Sequence, residues 1–349
     1  MGDCKQRHIR SFKASTYVVS VEFETESSDT AKIATPDPPV LIRSFPASAS
    51  DNSRHIPESG VLVFSDHVYE DGELRVVKEA DVAWQNRGNT MFVYGGAYVR
   101  HWDTYSGHKH RFLFSANRAQ KDGIWSLGEE FISLLAGTTH DDFDVSRTQG
   151  VYVVLDPELP PAWHAKQNVI LSTSLISKVT SGKHYATHSP VPTNDGTKVA
   201  WAGLSEDGYE SDLAAPVAYD LKKGESYNLT PHWDRSPASI SFSEGDKHIY
   251  FTAGSEAHVK VFMLSVPASE PGSDKKLASP SSPYLPNDVH TIRGPDQLPT
   301  SYDSWDYDTK HLQAQSFGTN QLTRYTEELK GKYLDAGEEF YFDGAQGKI

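Results

Sequence analysis

Asp234-Arg-Ser-Pro237 leads into Ser239-Ile-Ser-Phe242, a turn at Glu244-Gly-Asp246 and a second apolar run, His248-Ile-Tyr-Phe251. Both apolar runs are short and rich in β-branched and aromatic residues, as strands are. The Gly-Asp pair between them supplies the positive φ that a tight hairpin turn requires. This stretch therefore predicts two antiparallel strands joined by a turn.

The same arrangement occurs twice earlier in the chain. Asp144-Val-Ser146 precedes the apolar run Gly150-Val-Tyr-Val-Val-Leu155. His188-Ser-Pro190 precedes the turn Asp195-Gly196 and the run Lys198-Val-Ala-Trp201. The copies recur at roughly 45 residues, which is the length of one four-stranded propeller blade. A β-sandwich with coincidental spacing is the alternative, but three copies in register favour a β-propeller.

Further strands and turns are expected on the same grounds. Strands are predicted at Gly60–Phe64, Thr90–Tyr94 and Val259–Leu264. Hairpin turns are predicted at Asp71-Gly72, Asp122-Gly123, Asp207-Gly208 and Lys223-Gly224. No segment in the middle of the chain keeps apolar residues at helical spacing for three turns, so a βαβ alternation is excluded. The expected fold class is all-β and antiparallel, an incomplete propeller of about five to six blades.

Composition divides the chain into three parts. Residues 1–55 are rich in Ser, Thr and Pro, as in Thr35-Pro-Asp-Pro-Pro39, and are expected to form an irregular polar segment or a degraded blade. Residues 56–335 are expected to contain the propeller blades. Residues 336–349 are expected to begin a strand that leads out of the propeller.

Charge and composition exclude several classes of partner. The sequence has 33 basic and 47 acidic residues, a net charge of −14, and no long basic run, so nucleic acid is not an expected partner. No stretch approaches the ~20 consecutive apolar residues that cross a bilayer, so no membrane is expected as a partner. The N-terminus lacks the apolar segment of a secretory signal, which taken alone indicates a cytoplasmic product. Cys4 is the only cysteine, so no intramolecular disulfide is expected.

Catalysis by this chain is not expected. A serine hydrolase of the α/β type needs its nucleophile on a Gly-x-Ser-x-Gly turn, with an acid and a histidine following in chain order. No such pentapeptide occurs in the sequence. We therefore assign no catalytic residue, no cofactor and no α/β-hydrolase domain to these 349 residues.

Two groups of residues resemble metal sites. One contains His101, His108 and His110, and the other contains Asp141, Asp142 and Asp144. The histidines have no third ligand at a clear spacing, and the aspartates lack the alternating oxygen ligands and glycine of a calcium loop. We interpret the histidines, with His184 and His188, as polar residues near strand ends and the aspartates as solvated turn acids. No metal site is predicted.

The most informative polar cluster is Tyr209-Glu-Ser-Asp212, which follows a strand and the Asp207-Gly208 turn. A propeller presents such residues at its channel or rim, where a carboxylate could pair with the α-ammonium group of a peptide. The alternative is a rim residue bonded to neighbouring backbone. Tyr209, Glu210 and Asp212 are the candidate residues for contact with substrate or with another domain. Asn228-Leu-Thr230 is the one glycosylation sequon of the chain.

Tyr98-Val-Arg-His-Trp-Asp-Thr-Tyr105 resembles a sequence motif of the fungal dipeptidyl-peptidase V group, in the acylaminoacyl-peptidase branch of the prolyl-oligopeptidase family. Further matches follow in the same order: Asp142–Ser146, Asp156–Leu159, Tyr209–Asp212, His232–Pro237 and Glu338–Phe342. They cover roughly residues 55 to 349. Because the matches are collinear, accidental resemblance is improbable.

The resemblance implies a function for the whole protein of which this sequence would be a part. It implies a secreted serine exopeptidase that releases dipeptides from peptide N-termini, with a propeller of seven or eight blades covering an α/β-hydrolase domain. The propeller would restrict access to small peptides, and peptide substrates would be bound through the hydrolase domain. Glu210 would be the contact with substrate or with that domain.

The sequence also departs from the family pattern. Family members begin with a signal peptide and about two additional blades, whereas Tyr98 lies closer to Met1 here. Glu338–Phe342 resembles the strand that leads into the hydrolase domain, and the stretch from Pro283 to Ser316 is compressed. A truncated gene product that is not catalytic by itself explains these departures. The alternative is a stand-alone propeller that serves as a protein-interaction scaffold.

Overall fold

The computed structural model describes the core of the chain and several isolated strands. The described residues are 51–56, 59–91, 93–94, 100–101, 104–105, 107–121, 124–135, 138–159, 166–209, 211–231, 233–243, 245–255 and 258–265. Short segments are described in addition at 15–18, 23–25, 31–33, 40–44, 289–291, 303–305, 319–321, 340, 342–344 and 347–348.

The strands before residue 135 form one large sheet and three small ones. Their bounds are β1 Ser15–Val18, β2 Phe23–Thr25, β3 Ala31–Ile33, β4 Val40–Ser44, β5 Asp51–Ile56, β6 Val61–Val68, β7 Arg100–His101, β8 Thr104–Tyr105, β9 His110–Lys121, β10 Ile124–Leu127 and β11 Ile132–Ser133. The large sheet has the order β5-β6-β9-β10, and β11 pairs with β9 beyond the end of β10. β1 pairs with β4, β2 with β3 and β7 with β8.

Three four-stranded sheets follow. The second is β12 Asp142–Val145, β13 Gly150–Leu155, β14 Gln167–Ser172 and β15 Ile176–Lys178. The third is β16 Thr187–Pro192, β17 Lys198–Gly203, β18 Ala215–Asp220 and β19 Glu225–Asn228. The fourth is β20 Ala238–Phe242, β21 His248–Ser255, β22 His258–Ser265 and β23 Val289–Thr291. Two hairpins complete the strands: β24 Asp303–Trp305 with β25 Thr319–Gln321, and β26 Asp343–Gly344 with β27 Gly347–Lys348.

Each large sheet is an antiparallel meander whose strands pair in chain order, as in a propeller blade. The starts of the second, third and fourth sheets are 45 and 51 residues apart (142 to 187, then 187 to 238), close to the predicted repeat. The first strands lie next to one another, since β12 contacts β5 and β16, and β16 contacts β20. These first strands therefore line the axis, and the four sheets are consecutive blades.

Alternating side chains of one strand pack against two different blades. In β17, Val199 and Trp201 join a cluster with β13 and β14 of the blade before. Ala200 and Ala202 of the same strand join a cluster with β20, β21 and β22 of the blade after. Because successive side chains of a strand point to opposite faces, the sheet of the third blade is covered on both faces by its two neighbours. A two-layer sandwich covers each sheet on one side only, so the packing identifies a propeller.

The inner strands share a local irregularity. Asn52, Ser189 and Ser239 have φ values of 43°, 50° and 53°, in the left-handed region that non-glycine residues seldom occupy. Each lies where the pairing with the second strand shifts register, in β5, β16 and β20. Three blades thus carry the same bulge at the axis.

One helix was not predicted. A single 3₁₀ turn, Leu74–Val76, runs into α1, Val77–Gln85, within the connection between β6 and β9. Leu74 and Val77 are buried with Phe64, Phe112 and Phe114 in a cluster on the outer face of the first blade. The helix spans nine residues, fewer than the three turns of apolar periodicity required in the sequence. Among the described residues, no preceding blade of comparable size lies against this face of the first blade, and the helix covers it instead.

Several local predictions require correction. Thr90, Met91, Val93 and Tyr94 have no regular structure, so the strand predicted at 90–94 is wrong. Asp71-Gly72 is a turn with a φ of 73° at Gly72, but it joins a strand to a helix and not to a second strand. The polar segments that mark the predicted repeat do not occupy the same position in each blade. The first lies at the end of β12, the second lies within β16, and the third comes before β20. Short polar segments are too common in a sequence to mark a fixed position in a blade.

No helix among the described residues is both long enough and apolar enough to cross a membrane.

Candidate functional site

The inner strands all begin on one side of the propeller, which we call the front face. In an antiparallel meander of four strands, the connections between second and third strands return to this side. The front face therefore carries the connections 69–109, 156–166 and 204–214. The opposite side, the back face, carries turns between first and second strands, such as 193–197. The predicted cluster at Tyr209 lies on the front face of the third blade.

Asp212 is held by its own loop. Its Oδ2 accepts hydrogen bonds from the backbone N–H of Ser205 at 2.8 Å, from Ser205 Oγ at 2.8 Å and from the N–H of Glu206 at 3.0 Å. Its Oδ1 accepts from the N–H of Leu213 at 2.8 Å. The hydrogen bond from the Ser205 hydroxyl, followed by those from backbone N–H groups, lowers the pKa of Asp212. The carboxylate therefore closes the 204–214 connection.

Tyr209 is the exposed member of the cluster. Its side chain is 55% exposed, and Leu213 in the same connection is 41% exposed. Gly208, which comes directly before Tyr209, has a φ of 71° and forms the turn that the sequence predicts for the Asp207-Gly208 pair. Glu210 lies outside the described residues. The loop closed by Asp212 thus presents an aromatic and an aliphatic side chain at the front of the third blade.

A depression of about 450 Å³ lies beside this loop. Asp212 and Leu213 border it on one side, Lys183 and His184 on another, and Tyr227 and Asn228 line its outer end. Burial lowers the pKa of His184, against the hydrogen bond that its Nδ1 donates to the Gly182 carbonyl. The depression thus connects the predicted loop with the sequon at the outer edge of the blade.

Asp142 joins three blades at the axis, a role that the sequence did not reveal. Its Oδ1 accepts a hydrogen bond from Asn52 Nδ2 of β5 at 3.0 Å. Its Oδ2 accepts from the backbone N–H of Ser189 in β16 at 2.8 Å. Ser189 and Asn52 are two of the left-handed bulge residues, so the bulges turn their polar groups toward this one carboxylate. We call Asp142, Asn52 and Ser189 the axial junction.

A second acid of the same strand pairs with the first blade. Asp144 Oδ1 accepts from Arg54 Nε at 2.6 Å, and its side chain is only 17% exposed. Burial raises the pKa of Asp144, although the charge of Arg54 opposes that effect. Burial likewise raises the pKa of Asp141, whose Oδ2 accepts from Gln167 Nε2 at 2.8 Å. The interpretation as solvated turn acids is therefore wrong for Asp142 and Asp144, which lie in an inner strand and bond to neighbouring blades, whereas Asp141 is exposed in the bend before that strand.

The histidines singled out in the sequence do not converge. His108 packs against the ring of Trp84, with centroids 4.4 Å apart, and near Tyr94. His188 contacts Ser189 Oγ, and burial lowers its pKa against the charge of Asp142. The side chain of His101 lies outside the described residues. Among the described residues, no three His, Cys, Asp or Glu side chains form a group that could hold a metal ion.

A second contact between a serine and a histidine is fully enclosed. Ser65 Oγ lies 3.1 Å from His140 Nε2, a distance suited to nucleophile and base. Ser65 is fully buried and His140 is 3% exposed, with its ring edge-on to Phe143. No substrate reaches such a pair, because a nucleophile must be open to the reacting atom. The contact is therefore part of the packing between the first two blades.

Comparison with known proteins gives relatives by sequence. No family model matches the chain. Dipeptidyl-peptidase 5 of Schizosaccharomyces pombe is 27% identical over 223 residues, which is 56% of this chain and 32% of that protein. Dipeptidyl-peptidase 5 of Trichophyton schoenleinii is 24% identical over 289 residues, which is 74% of this chain and 39% of that protein. The chain thus spans about a third of the length of these curated relatives.

The fold is also found among solved structures. An acylaminoacyl peptidase of Pyrococcus horikoshii superposes on 95% of this chain and 47% of that protein, with a TM-score of 0.50 and 14% sequence identity. That likeness concerns the fold. The sequence matches and the shared fold agree with the resemblance drawn from the collinear motifs. The chain is thus a β-propeller homologous, over 56–74% of its length, to the fungal dipeptidyl-peptidases 5.

Proposed function

We propose that this chain is the substrate-gating propeller of a serine exopeptidase that releases dipeptides from peptide N-termini. The observation that carries the proposal is the sequence relation to dipeptidyl-peptidases 5 over 56–74% of the chain. The Gly-x-Ser-x-Gly turn of such enzymes does not occur in the sequence, so the chain by itself is not catalytic. Its role is to limit access to a hydrolase domain by size.

The front face is the side that meets the hydrolase domain. Each blade begins with its inner strand and ends with its outer strand on this face, so the chain crosses between blades there. Connections on this face also expose large apolar side chains, which are typical of a surface that contacts another domain. They are Val82, Met91 and Val93 in the first blade and Tyr209 and Leu213 in the third.

The division of the chain follows from the same proposal. Residues 1–55 are an irregular polar segment or degraded blade, and residues 56–335 are the propeller blades. Residues 336–349 start the strand that leads to the hydrolase domain. Since β5 spans Asp51–Ile56, the boundary between residues 55 and 56 falls at the end of that strand, and the first blade begins five residues earlier, at Asp51. The location that fits a peptidase of this group is extracellular.

An activity assay tests the proposal directly. The purified chain and the product of the complete transcript are each incubated with a chromogenic dipeptide amide. We expect amine release from the complete product and none from the chain alone. Dipeptide release by the chain would refute the gating role. A transcript that ends at Ile349 would instead favour the stand-alone scaffold.

Within the complete peptidase, Glu210 is proposed to contact the substrate's α-ammonium group and Tyr209 to border it, while Asp212 positions both. Glu210→Gln removes the charge and keeps the size, so we expect about a tenfold rise in KM for free-amine peptides, the equivalent of about 1.4 kcal/mol. N-acylated peptides carry no ammonium group and serve as the comparison. Glu206→Gln in the same connection is the matched control. An equal effect of the two variants would contradict the assignment.

A further inference from the structure

Asn228 ends the outermost strand of the third blade, at the edge of the depression described above. It is exposed, and it begins the only Asn-x-Ser/Thr sequence of the chain, Asn228-Leu229-Thr230. Such a sequence is the acceptor for N-linked glycans in proteins that enter a secretory pathway. The peptidase function proposed above does not use this residue.

The local backbone presents the Asn228 amide in a defined orientation. Asn228 Oδ1 accepts a hydrogen bond from the backbone N–H of Thr230 at 2.8 Å, which closes an Asx turn. The bond uses the oxygen of the amide and not Nδ2, the atom that a glycan modifies, and the residue is exposed. Leu229 and Thr230 are 4% and 3% exposed, so they anchor the turn in the blade. The acceptor nitrogen therefore stands on a rigid support.

The surroundings suit a carbohydrate. Asn228 borders the depression of about 450 Å³, a volume within the usual range of small-molecule sites. Leu213 offers an exposed apolar surface, against which the C–H face of a sugar can pack, while Ser226, Ser205 and Lys183 offer polar groups for its hydroxyls. A first sugar on Asn228 thus has both apolar and polar contacts available without displacing the chain.

We propose that Asn228 carries an N-linked glycan whose first sugar lies in this depression. The inference rests on the proposed extracellular location. In the step that attaches it, Nδ2 attacks the anomeric carbon of an oligosaccharide linked to a lipid diphosphate. The new C–N bond forms as the bond between that carbon and the diphosphate oxygen breaks. The amide loses one proton, the lipid diphosphate leaves, and no oxidation or reduction occurs.

The glycan would protect an exposed strand edge. β19 is the outer strand of its sheet, so one side of its backbone has no partner strand in this blade. Free edges of this kind pair with other chains unless something covers them. A bulky, hydrated group on the last residue of β19 covers the end of that edge. The position of the sequon thus gives the modification a structural use.

Expression of the chain behind a yeast secretion leader tests the site. Total protein, from cells and medium, is digested with and without the amidase that cleaves the bond between asparagine and sugar. We expect a glycan mass on the peptide containing Asn228, and an aspartate at 228 after the amidase. Asn228→Gln should lose the modification completely, whereas Thr230→Ser keeps the sequon and should retain it. Unmodified Asn228 in chain that has entered the pathway would overturn the proposal.

The outcome is independent of the peptidase proposal. The leader forces the chain into the pathway, and attachment happens on the way in, so a folding failure of Asn228→Gln does not affect the wild-type measurement. Dipeptide release is measured on separate protein. A glycan on Asn228 without dipeptide release by the complete product would contradict only the peptidase proposal. Dipeptide release without a glycan on Asn228 would contradict only the proposed modification.

Discussion

Two regions of the propeller depend on aspartates whose oxygens accept several hydrogen bonds. At the axis, Asp142 and Asp144 of β12 bond to other blades. At the rim, Asp212 bonds only to residues of its own loop. The axial acids are enclosed by neighbouring strands, while the rim acid faces water on one side. The same residue type therefore joins blades in one region and closes a single loop in the other.

The two regions also respond to acid in opposite directions. The pKa of Asp144 is raised by burial, so ionisation costs folding free energy above that pKa, and the cost disappears as the pH falls below its unfolded value. The pKa of Asp212 is lowered by hydrogen bonds, so its contribution is present at neutral pH and is lost as the pH falls through its folded pKa. On acidification Asp144 should therefore take up its proton first, at a higher pH, and the rim loop should loosen only at a lower pH, when Asp212 is protonated.

The largest effect is expected at the axial junction. Asp142→Ala leaves the Ser189 N–H and the Asn52 amide without their acceptor, and hydrogen bonds to a charged group contribute about 1.5–3 kcal/mol. We expect the free energy of unfolding to fall by about 2–3 kcal/mol in urea denaturation. Asp142→Asn keeps one acceptor oxygen and should lose less. An unchanged free energy of unfolding in Asp142→Ala would show that the bonds across blades contribute nothing.

A smaller effect is expected at Arg54. Arg54→Met leaves Asp144 buried without its cation, and because Arg54 is 42% exposed we expect a loss of about 1–2 kcal/mol at pH 7. The loss should shrink on acidification, since Asp144 then becomes neutral. Urea denaturation at several pH values measures both effects. A loss that does not change with pH would mean that other hydrogen bonds of the guanidinium, such as that to Asn52 Oδ1, matter and its charge beside Asp144 does not.

The smallest effect is expected at the rim. Asp212→Asn should lower the free energy of unfolding by about 1 kcal/mol or less at neutral pH, because the exposed carboxylate is screened by water. The difference from wild type should vanish at low pH, where the wild-type carboxyl is protonated as well. Hydrogen exchange of the Ser205 and Glu206 amides reports the loop directly. Unchanged exchange in the variant would contradict the role of Asp212.

The fold was predictable where the strands carry their own signal. Gly150–Leu155 forms β13 with the predicted bounds, and Lys198–Trp201 and His248–Phe251 lie within β17 and β21. Their apolar residues are consecutive because both sheet faces are buried, and that pattern is visible without the structure. The run at 90–94 has the same composition but no partner strand, so composition misled there.

The site was predictable only in part. The Asp207-Gly208 turn located the rim loop, since a glycine at positive φ leaves a clear trace in the sequence. The axial junction was missed, because Asn52, Asp142 and Ser189 are separated by 90 and 47 residues. The bulges that bring them together arise from pairing within the sheets. Nothing local distinguishes these residues from other polar residues.

The crossings at the front face have a consequence for how such proteins change during evolution. Every described blade is one continuous piece of sequence that starts and finishes on the same side. Duplication or deletion of about 45 residues at these crossings adds or removes one whole sheet and leaves the pairing inside the others unchanged. A gene of this design can therefore alter the circumference of its ring, and hence the width of its channel, in single steps.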